Sequence, residues 1–232
     1  MNELKVDLPE IPIILITSTR TAYAIDTIEA IQRNLKYDGR LSWYIAADNS
    51  NDHHVAQVVR AATDGMAFKR AGHGVFTVLQ ETTGGYGVAA NEAWRECSET
   101  GCPITFWLED DWRLERPLDI TKSVRLLLER ENVGCVRYSY LPTGLECESV
   151  GHDFTMYLNI KKTRSYAFSG NPHLKHERFK YYGEYPEGKN PGDTEIFYDG
   201  KIRLRHNGPE IWWVLDIGDN PPFKHIGEEQ SY

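Results

Sequence analysis

Residues 104–112 read Ile-Thr-Phe-Trp-Leu-Glu-Asp-Asp-Trp, an apolar run rich in aromatic and β-branched side chains that ends in three consecutive acids, Glu109, Asp110 and Asp111. The run to Leu108 has the composition of a buried strand. Desolvating a bare carboxylate is costly, so the three acids belong at the rim of a sheet. Adjacent carboxylates repel one another, and a divalent hard cation is a common remedy. A solvated acidic turn ahead of Arg113, Glu115 and Arg116 is the structural alternative.

Other stretches offer matching chemistry. Thr17, Ser18, Thr19 and Arg20 follow an apolar run with hydroxyls and one cation. Asp48 ends a second such run, where it can accept hydrogen bonds from a base or ribose or cap a helix. The glycine-rich loop 81–87 opens onto a helix, whose free N–H groups and positive dipole end suit a phosphate. Gly85 lies in that loop, and Asn91 lies on the first turns of the helix. The pattern is neither GxGxxG nor a P-loop, and a tight βα turn needs the same glycines. Later in the chain, Asp193 and Glu195 frame a threonine, and Lys224-His225-Ile226-Gly227 supplies a cation and an imidazole.

These residues need a scaffold, and the hydrophobic pattern outlines one. Residues 11–17 are nearly all apolar, as expected of a parallel strand covered on both faces. Tyr23, Ile25, Ile28, Ile31 and Leu35 recur at helical spacing, predicting a helix over 22–36. Strands follow at 41–47 and 74–79, with a helix running through Arg60 between them; a helix covers 88–96, and the acidic strand comes next. Four strand–helix alternations argue for right-handed crossovers and a largely parallel α/β sheet.

Beyond residue 115 the pattern loosens. A helix is expected at 120–128, strands at 133–140, 154–160 and 166–169, and a short helix at 193–198. Edge strands are expected at 201–205 and 211–215. The Pro-, Gly- and Tyr-rich stretch 171–191 reads as a substrate-covering loop region, and 218–232 as an irregular tail. With no repeat or linker, 1–232 reads as one domain.

Composition sets outer bounds. The 232 residues are 41% apolar and 12% aromatic, enough for a sizeable core, and the formal charge of −8 gives no global basic footprint for nucleic acid. Local basic clusters occur at 161–164 and 175–178. Cys97, Cys102, Cys135 and Cys147 lack zinc-site spacing, although a disulfide could span the first two. No apolar run reaches the length of about 18 residues read as a membrane span, and the N-terminus lacks a signal-like pattern. A soluble cytoplasmic protein of a bacterium or phage-infected cell, with no membrane partner, is the expectation.

The order of these motifs resembles the GT-A fold glycosyltransferases, in particular the family 2-like enzymes that use nucleotide-diphosphate sugars. The resemblance rests on the apolar strand with Thr-Ser-Thr-Arg, the strand ending in Asp48, Gly-Tyr-Gly-Val-Ala-Ala-Asn, and Leu-Glu-Asp-Asp-Trp. It is good over 11–115 and thin over the remainder. It implies a Rossmann-like nucleotide-binding half over about 11–115 and an acceptor half with a closing segment over about 116–232. Asp48 would contact the nucleobase, and Thr17, Ser18, Arg20, Gly85, Asn91, Glu109 and Asp110 would line the donor site. Glu109-Asp110-Asp111 corresponds to the family's DxD motif, with glutamate in place of its first aspartate. Asp111 is the first choice as ligand of Mn2+ or Mg2+, assisted by Glu109 or Asp110. Glu195, with Asp193 as runner-up, matches the general base of inverting members, and His225 the ligand on the closing segment. Asn171 and Trp212 would sit on the acceptor side.

The implied reaction moves a hexosyl or pentosyl group from a nucleotide-diphosphate sugar, by family habit a UDP-sugar, to an acceptor hydroxyl. Arg20 or Lys224 would add positive charge. The acceptor is open among a saccharide, a protein side chain and a hydroxymethylated pyrimidine in phage DNA. Tyr181, Tyr182, Tyr185, Phe197, Tyr198, Trp212 and Trp213 could stack on a sugar or base, with core packing favoured for Phe197 and Trp213. Two rivals are a nucleotidyltransferase, whose usual glycine- and lysine-rich loop is missing after the first strand, and a non-catalytic nucleotide-sugar-binding module.

Overall fold

The structure is a computed structural model and describes residues 7–65, 77–138, 147–152, 155–160, 170–187, 191–205, 207–214 and 221–227. Its first half alternates strand and helix: β1 (Ile11–Thr17), α1 (Thr21–Asn34), β2 (Leu35–Lys36), β3 (Leu41–Asp48), α2 (Asp52–Asp64), β4 (Thr77–Thr82), α3 (Tyr86–Glu99) and β5 (Ile104–Glu109). Its second half carries β6 (Trp112–Leu114), β7 (Leu118–Asp119), α4 (Thr121–Glu129), β8 (Val133–Arg137), β9 (Cys147–His152) and β10 (Thr155–Ile160). There follow β11 (His173–His176), a 3₁₀ helix (Glu177–Tyr182), α5 (Pro191–Leu204), β12 (Glu210–Val214) and β13 (Phe223–His225).

Nine strands form one sheet in the order β4-β3-β1-β5-β11-β8-β12-β10-β9. The first four run parallel, as the strand–helix alternation requires. β1, β3 and β5 are covered on both faces and read as apolar runs with no polar side, whereas β4 lies at the edge of the sheet with Leu79 exposed. Alternate residues serve opposite layers: Ile11, Ile13 and Leu15 join one hydrophobic cluster with α1 and α4, while Ile14 and Ile16 join a second cluster with α3 and α5. α1 buries Ala24, Thr27, Ile28 and Ile31, one stripe at helical spacing.

The second half departs from the sequence expectation at several places, among them β9, where no strand was expected, and β13, inside the stretch expected to be an irregular tail. β11 lies inside the stretch expected to be loop, and it is a central strand, antiparallel to both β5 and β8. Its sequence, His-Leu-Lys-His, has no apolar signature, yet all four residues are buried. Residues 201–204 continue α5 instead of forming a strand, because Thr194, Tyr198 and Ile202 make one buried stripe at i, i+4, i+8. β12 lies within the sheet, between β8 and β10, and not at its edge. The strand expected at 166–169 and the basic cluster at 161–164 lie outside the described residues.

Cys97, Cys102 and Cys135 are free thiols, so the Cys97–Cys102 disulfide is not formed. Among the described residues no helix is long and apolar enough to cross a membrane.

Candidate active site

Parallel pairing of β4, β3, β1 and β5 brings their carboxyl ends to one rim. Thr17 stands opposite Ala47, Ile16 opposite Glu109, and Asp48 opposite Thr82. The polar residues that end four parallel strands therefore share one edge, the place where open α/β sheets bind ligands.

The acids at the end of β5 are not the solvated turn that was their alternative. Asp110 and Asp111 are only 1% and 5% exposed. Burial pushes the Asp110 carboxyl up, and Arg20 and the Thr17 hydroxyl pull it back. Arg20, at the N-terminus of α1, bridges both acids: Nη2 donates to Asp110 Oδ1, and Nη1 donates to Asp111 Oδ2 at 2.7 Å. Thr17 Oγ1 donates to Asp110 Oδ2 at 2.8 Å, and Thr27 Oγ1 donates to the Asp110 carbonyl at 2.9 Å. Every oxygen of Asp110 is occupied.

A histidine behind this cluster fixes it further. His54, on the first turn of α2, lies 3.0 Å from Thr17 Oγ1 through Nε2 and 2.8 Å from Thr21 Oγ1 through Nδ1. A carboxylate only accepts, so the Thr17 hydroxyl donates to Asp110 and must accept from His54 Nε2–H. Nδ1 then accepts from Thr21. Burial lowers the imidazole below its ordinary value, in keeping with this neutral tautomer. His54 was not legible in the sequence, because nothing there separates it from its exposed neighbour His53.

Asp111 is also reached from the C-terminal side. β13 pairs antiparallel with β6, setting His225 opposite Trp112. Ile226 N–H donates to the Asp111 carbonyl at 2.8 Å, and His225 Nε2 lies 3.2 Å from Asp111 Oδ2. Gly227 packs so closely that a Cβ there would lie 2.7 Å from Asp111 Oδ2 and 3.2 Å from Arg20 Nη1. The other carboxylate oxygen of Asp111, Oδ1, is buried with no hydrogen-bond partner among the described residues.

Glu109 faces a different neighbour. Its carboxyl is raised well above the usual range by burial first, then by Glu195, Asp111 and Asp110, while a hydrogen bond with Tyr86 pulls it down. Glu195, on α5, accepts from the Gly170 N–H. A Cβ at Gly170 would collide with Glu109 Oε1 and lie 2.9 Å from Glu195 Oε1, so both carboxylates converge on one point. Asp193 is exposed. A turn of 100° per residue sends Phe197 to the side of α5 opposite Glu195; that ring is 51% exposed, contrary to the core position expected for it.

Several expected ligand contacts are spent inside the protein. Asp48 Oδ1 accepts from Thr82 Oγ1 and from the Gly85 N–H, both at 3.0 Å, which ties β3 to the glycine loop. That amide, expected to face a phosphate, faces Asp48. Gly85 has φ of 84°, a backbone conformation that favours glycine as the residue opening α3. Asn91 clamps Tyr185, donating to its carbonyl at 3.0 Å and accepting from its N–H at 2.8 Å. The Ser18 carbonyl accepts from Ser50. Trp212 is buried against Tyr157 with Nε1 donating to Glu210, a core position and no acceptor platform. Asn171 uses its carbonyl to hold His173 Nδ1 at 2.6 Å. The basic cluster at 175–178 is internal as well: Lys175 and His176 are buried, and Arg178 donates to the Arg130 and Val133 carbonyls.

The Asp111–His225 pair has the donor chemistry that a divalent cation would need. One carboxylate oxygen lacks a partner, the imidazole lies alongside, and hard cations typically take one or two carboxylates plus substrate phosphates. Asp110 is a poor ligand because Thr17 and Arg20 occupy it. Among the described residues no group of three His, Cys, Asp or Glu side chains closes into a complete ligand set, so substrate oxygens would have to complete it.

No protein-family model matches the chain, and no curated protein matches it in sequence. Solved structures do match in fold. TarS residues 1–349 from S. aureus, in complex with UDP-GlcNAc, aligns with a TM-score of 0.62 at 11% identity, over 94% of this chain and 61% of that one. The mannosyltransferase PcManGT from Pyrobaculum calidifontis, with GDP-Man and Mn2+, aligns with a TM-score of 0.58 at 15% identity, over 100% and 62%. Glucosyl-3-phosphoglycerate synthase from Mycobacterium tuberculosis, with Mn2+, UDP and phosphoglyceric acid, gives 0.53 at 17% identity, over 88% and 67%. The chain spans about three fifths of the first two. It has the GT-A fold, with the mainly parallel sheet that fold requires.

Proposed function

We propose that this chain is a metal-dependent glycosyltransferase that moves a sugar from a nucleotide-diphosphate donor to an acceptor hydroxyl with inversion. The observation that supports the reading is Asp111 at the rim of the parallel sheet, with one buried carboxylate oxygen that has no hydrogen-bond partner among the described residues and with His225 alongside. The fold is shared with proteins solved with UDP-GlcNAc and with GDP-Man and Mn2+, which supports a UDP- or GDP-sugar donor and Mn2+ or Mg2+ as the cation.

Bound at Asp111 and His225, the cation would neutralise charge developing on the leaving diphosphate. Arg20 adds positive charge beside it, tied to Asp110, which Thr17 holds in turn. Glu195 is the base: it takes the proton of the acceptor hydroxyl as that oxygen attacks the anomeric carbon. Glu109 lies beside Glu195, both carboxylates converging on Gly170. β13 pairs with β6, and Gly227 packs on Asp111 and Arg20 from the C-terminal side.

The sequence clusters that suited a DNA acceptor are of two kinds: 175–178 is internal, and 161–164 lies outside the described residues. The acceptor is therefore assigned by assay, using saccharides, peptides and hydroxymethylated DNA in parallel. With Mn2+ and a panel of UDP- and GDP-sugars, the wild type should release nucleoside diphosphate. Asp111→Asn should lose activity about 100-fold or more, and Glu195→Gln should lose about 10²–10⁴ while still binding nucleotide. A thermal shift with UDP and no turnover on any acceptor would make the chain a binding module. Unchanged activity in Asp111→Asn would remove the cation from the mechanism.

A further inference from the structure

Arg20 and a cation at Asp111 compete for the same carboxylate. Nη1 of Arg20 donates to Asp111 Oδ2 at 2.7 Å, and His225 Nε2 lies 3.2 Å from that same oxygen. Nη2 of Arg20 meanwhile holds Asp110, so one guanidinium spans both acids. Gly227 packs on the Asp111–Arg20 contact from outside. The described residues thus carry their own positive charge at the place where a dication would have to sit, and two like charges so close repel strongly. A diphosphate offers the guanidinium a bidentate alternative of the kind arginine prefers.

We propose that Arg20 couples cation binding to diphosphate binding: it holds Asp111 while the donor site is empty and yields Asp111 to the cation when a diphosphate takes its guanidinium. This rests on the reading of the rim as a nucleotide-diphosphate site, and it adds an order of events that the reading does not contain. Oδ1 of Asp111, buried and without a hydrogen-bond partner among the described residues, is left to receive the cation once Arg20 turns aside. The Asp110 contact keeps Arg20 close by while its Nη1 end turns, since Asp110 is itself anchored by Thr17 and His54. The cation and the diphosphate then strengthen one another's binding by the same factor, as linkage demands.

Mn2+ binding to the whole chain, followed by electron paramagnetic resonance with and without saturating UDP, tests this. The wild type should bind Mn2+ alone weakly and about ten-fold or more tightly once UDP is present. Arg20→Met should bind Mn2+ alone about ten-fold tighter than the wild type, and its gain with UDP should shrink to about three-fold or less. Arg20→Lys, which keeps a charge but cannot span both acids, should fall between the two, and it decides the matter if the methionine variant fails to fold. Asp111→Asn should abolish Mn2+ binding in either condition. Variants of Arg20 that bind Mn2+ no tighter than the wild type, with the UDP effect unchanged, overturn the coupling and leave the site intact. A wild type that binds no Mn2+ even with UDP overturns the underlying reading as well.

Discussion

Lys175 is a charged residue type in a fully buried place. Its Nζ lies 3.4 Å from the centroid of the Trp107 ring and 4.0 Å from that of Trp94, and it donates to the Tyr185 hydroxyl at 3.0 Å. Burial pushes its pKa well below the ordinary 10.5. The unfolded chain then binds a proton that the folded chain does not, at every pH between the folded value and 10.5, so stability rises with pH across that window. The buried thiols of Cys97 and Cys135, each pushed up to about 12, act in the opposite sense. They are common to wild type and Lys175→Met, so the difference between the two proteins isolates the lysine. Urea midpoints at pH 7.5 and pH 9.5 should show the wild type gaining up to about 1.4 kcal/mol per pH unit relative to Lys175→Met. Parallel curves would mean that the aromatic cage holds the lysine charged. At this scale succession along the chain is what singled out Asp111, Glu195 and His225, and the fold sets His225 Nε2 3.2 Å from Asp111 Oδ2. The sequence was illegible where a polar side chain serves the scaffold, because residue type is the same in both uses. Asp48 and Asn91 have the chemistry of ligand contacts and are engaged with Gly85 and Tyr185.

Elements in the parallel half follow from their apolar runs, and β11 does not, for a physical reason. Its His173 stacks on Trp107 and its Lys175 lies in the aromatic cage, so neighbours supply the apolar surface that the strand itself lacks. A pattern of hydrophobic residues cannot announce a strand whose burial is borrowed. A second example is the contact between α3 and the segment leading to α5. Gly87 meets the Pro186 carbonyl with no space for a Cβ, and four residues on, Asn91 clamps Tyr185. Gly87→Ala should push residues 185–187 away from α3 at a cost of about 1–3 kcal/mol, the range for overpacking. Glu195 follows that segment, whereas Asp111 and His225 are held by β5, β6 and β13. Gly87→Ala should therefore lower kcat several-fold and leave Mn2+ affinity within about two-fold of the wild type. Equal losses in both would mean that the two sides of the site move together.

For the whole molecule, the expected division near residue 115 is not a division of the fold. One sheet crosses the divide: β5 pairs with β1 from its own half and with β11 from the other. β13 closes on β6, and α4 supplies Val124, Leu126 and Leu127 to the same cluster that holds Ile13 and Phe106. A chain cut after residue 116 would leave β5 as a raw edge, with unpaired backbone groups beside Phe106 and Trp107. Each of those two side chains contributes about 1.5–3 kcal/mol when fully buried, which is large against the 5–15 kcal/mol stability of a typical protein. Residues 1–116 expressed alone should therefore aggregate or lack a cooperative thermal transition. Adding residues 117–232 should restore both a cooperative melt and Mn2+-dependent nucleotide binding. A fragment 1–116 that folds cooperatively and binds UDP by itself would show that the nucleotide half is an autonomous unit, with β11 an addition to a finished sheet. The central place of β11, hydrogen-bonded on both sides, argues for the single cooperative body.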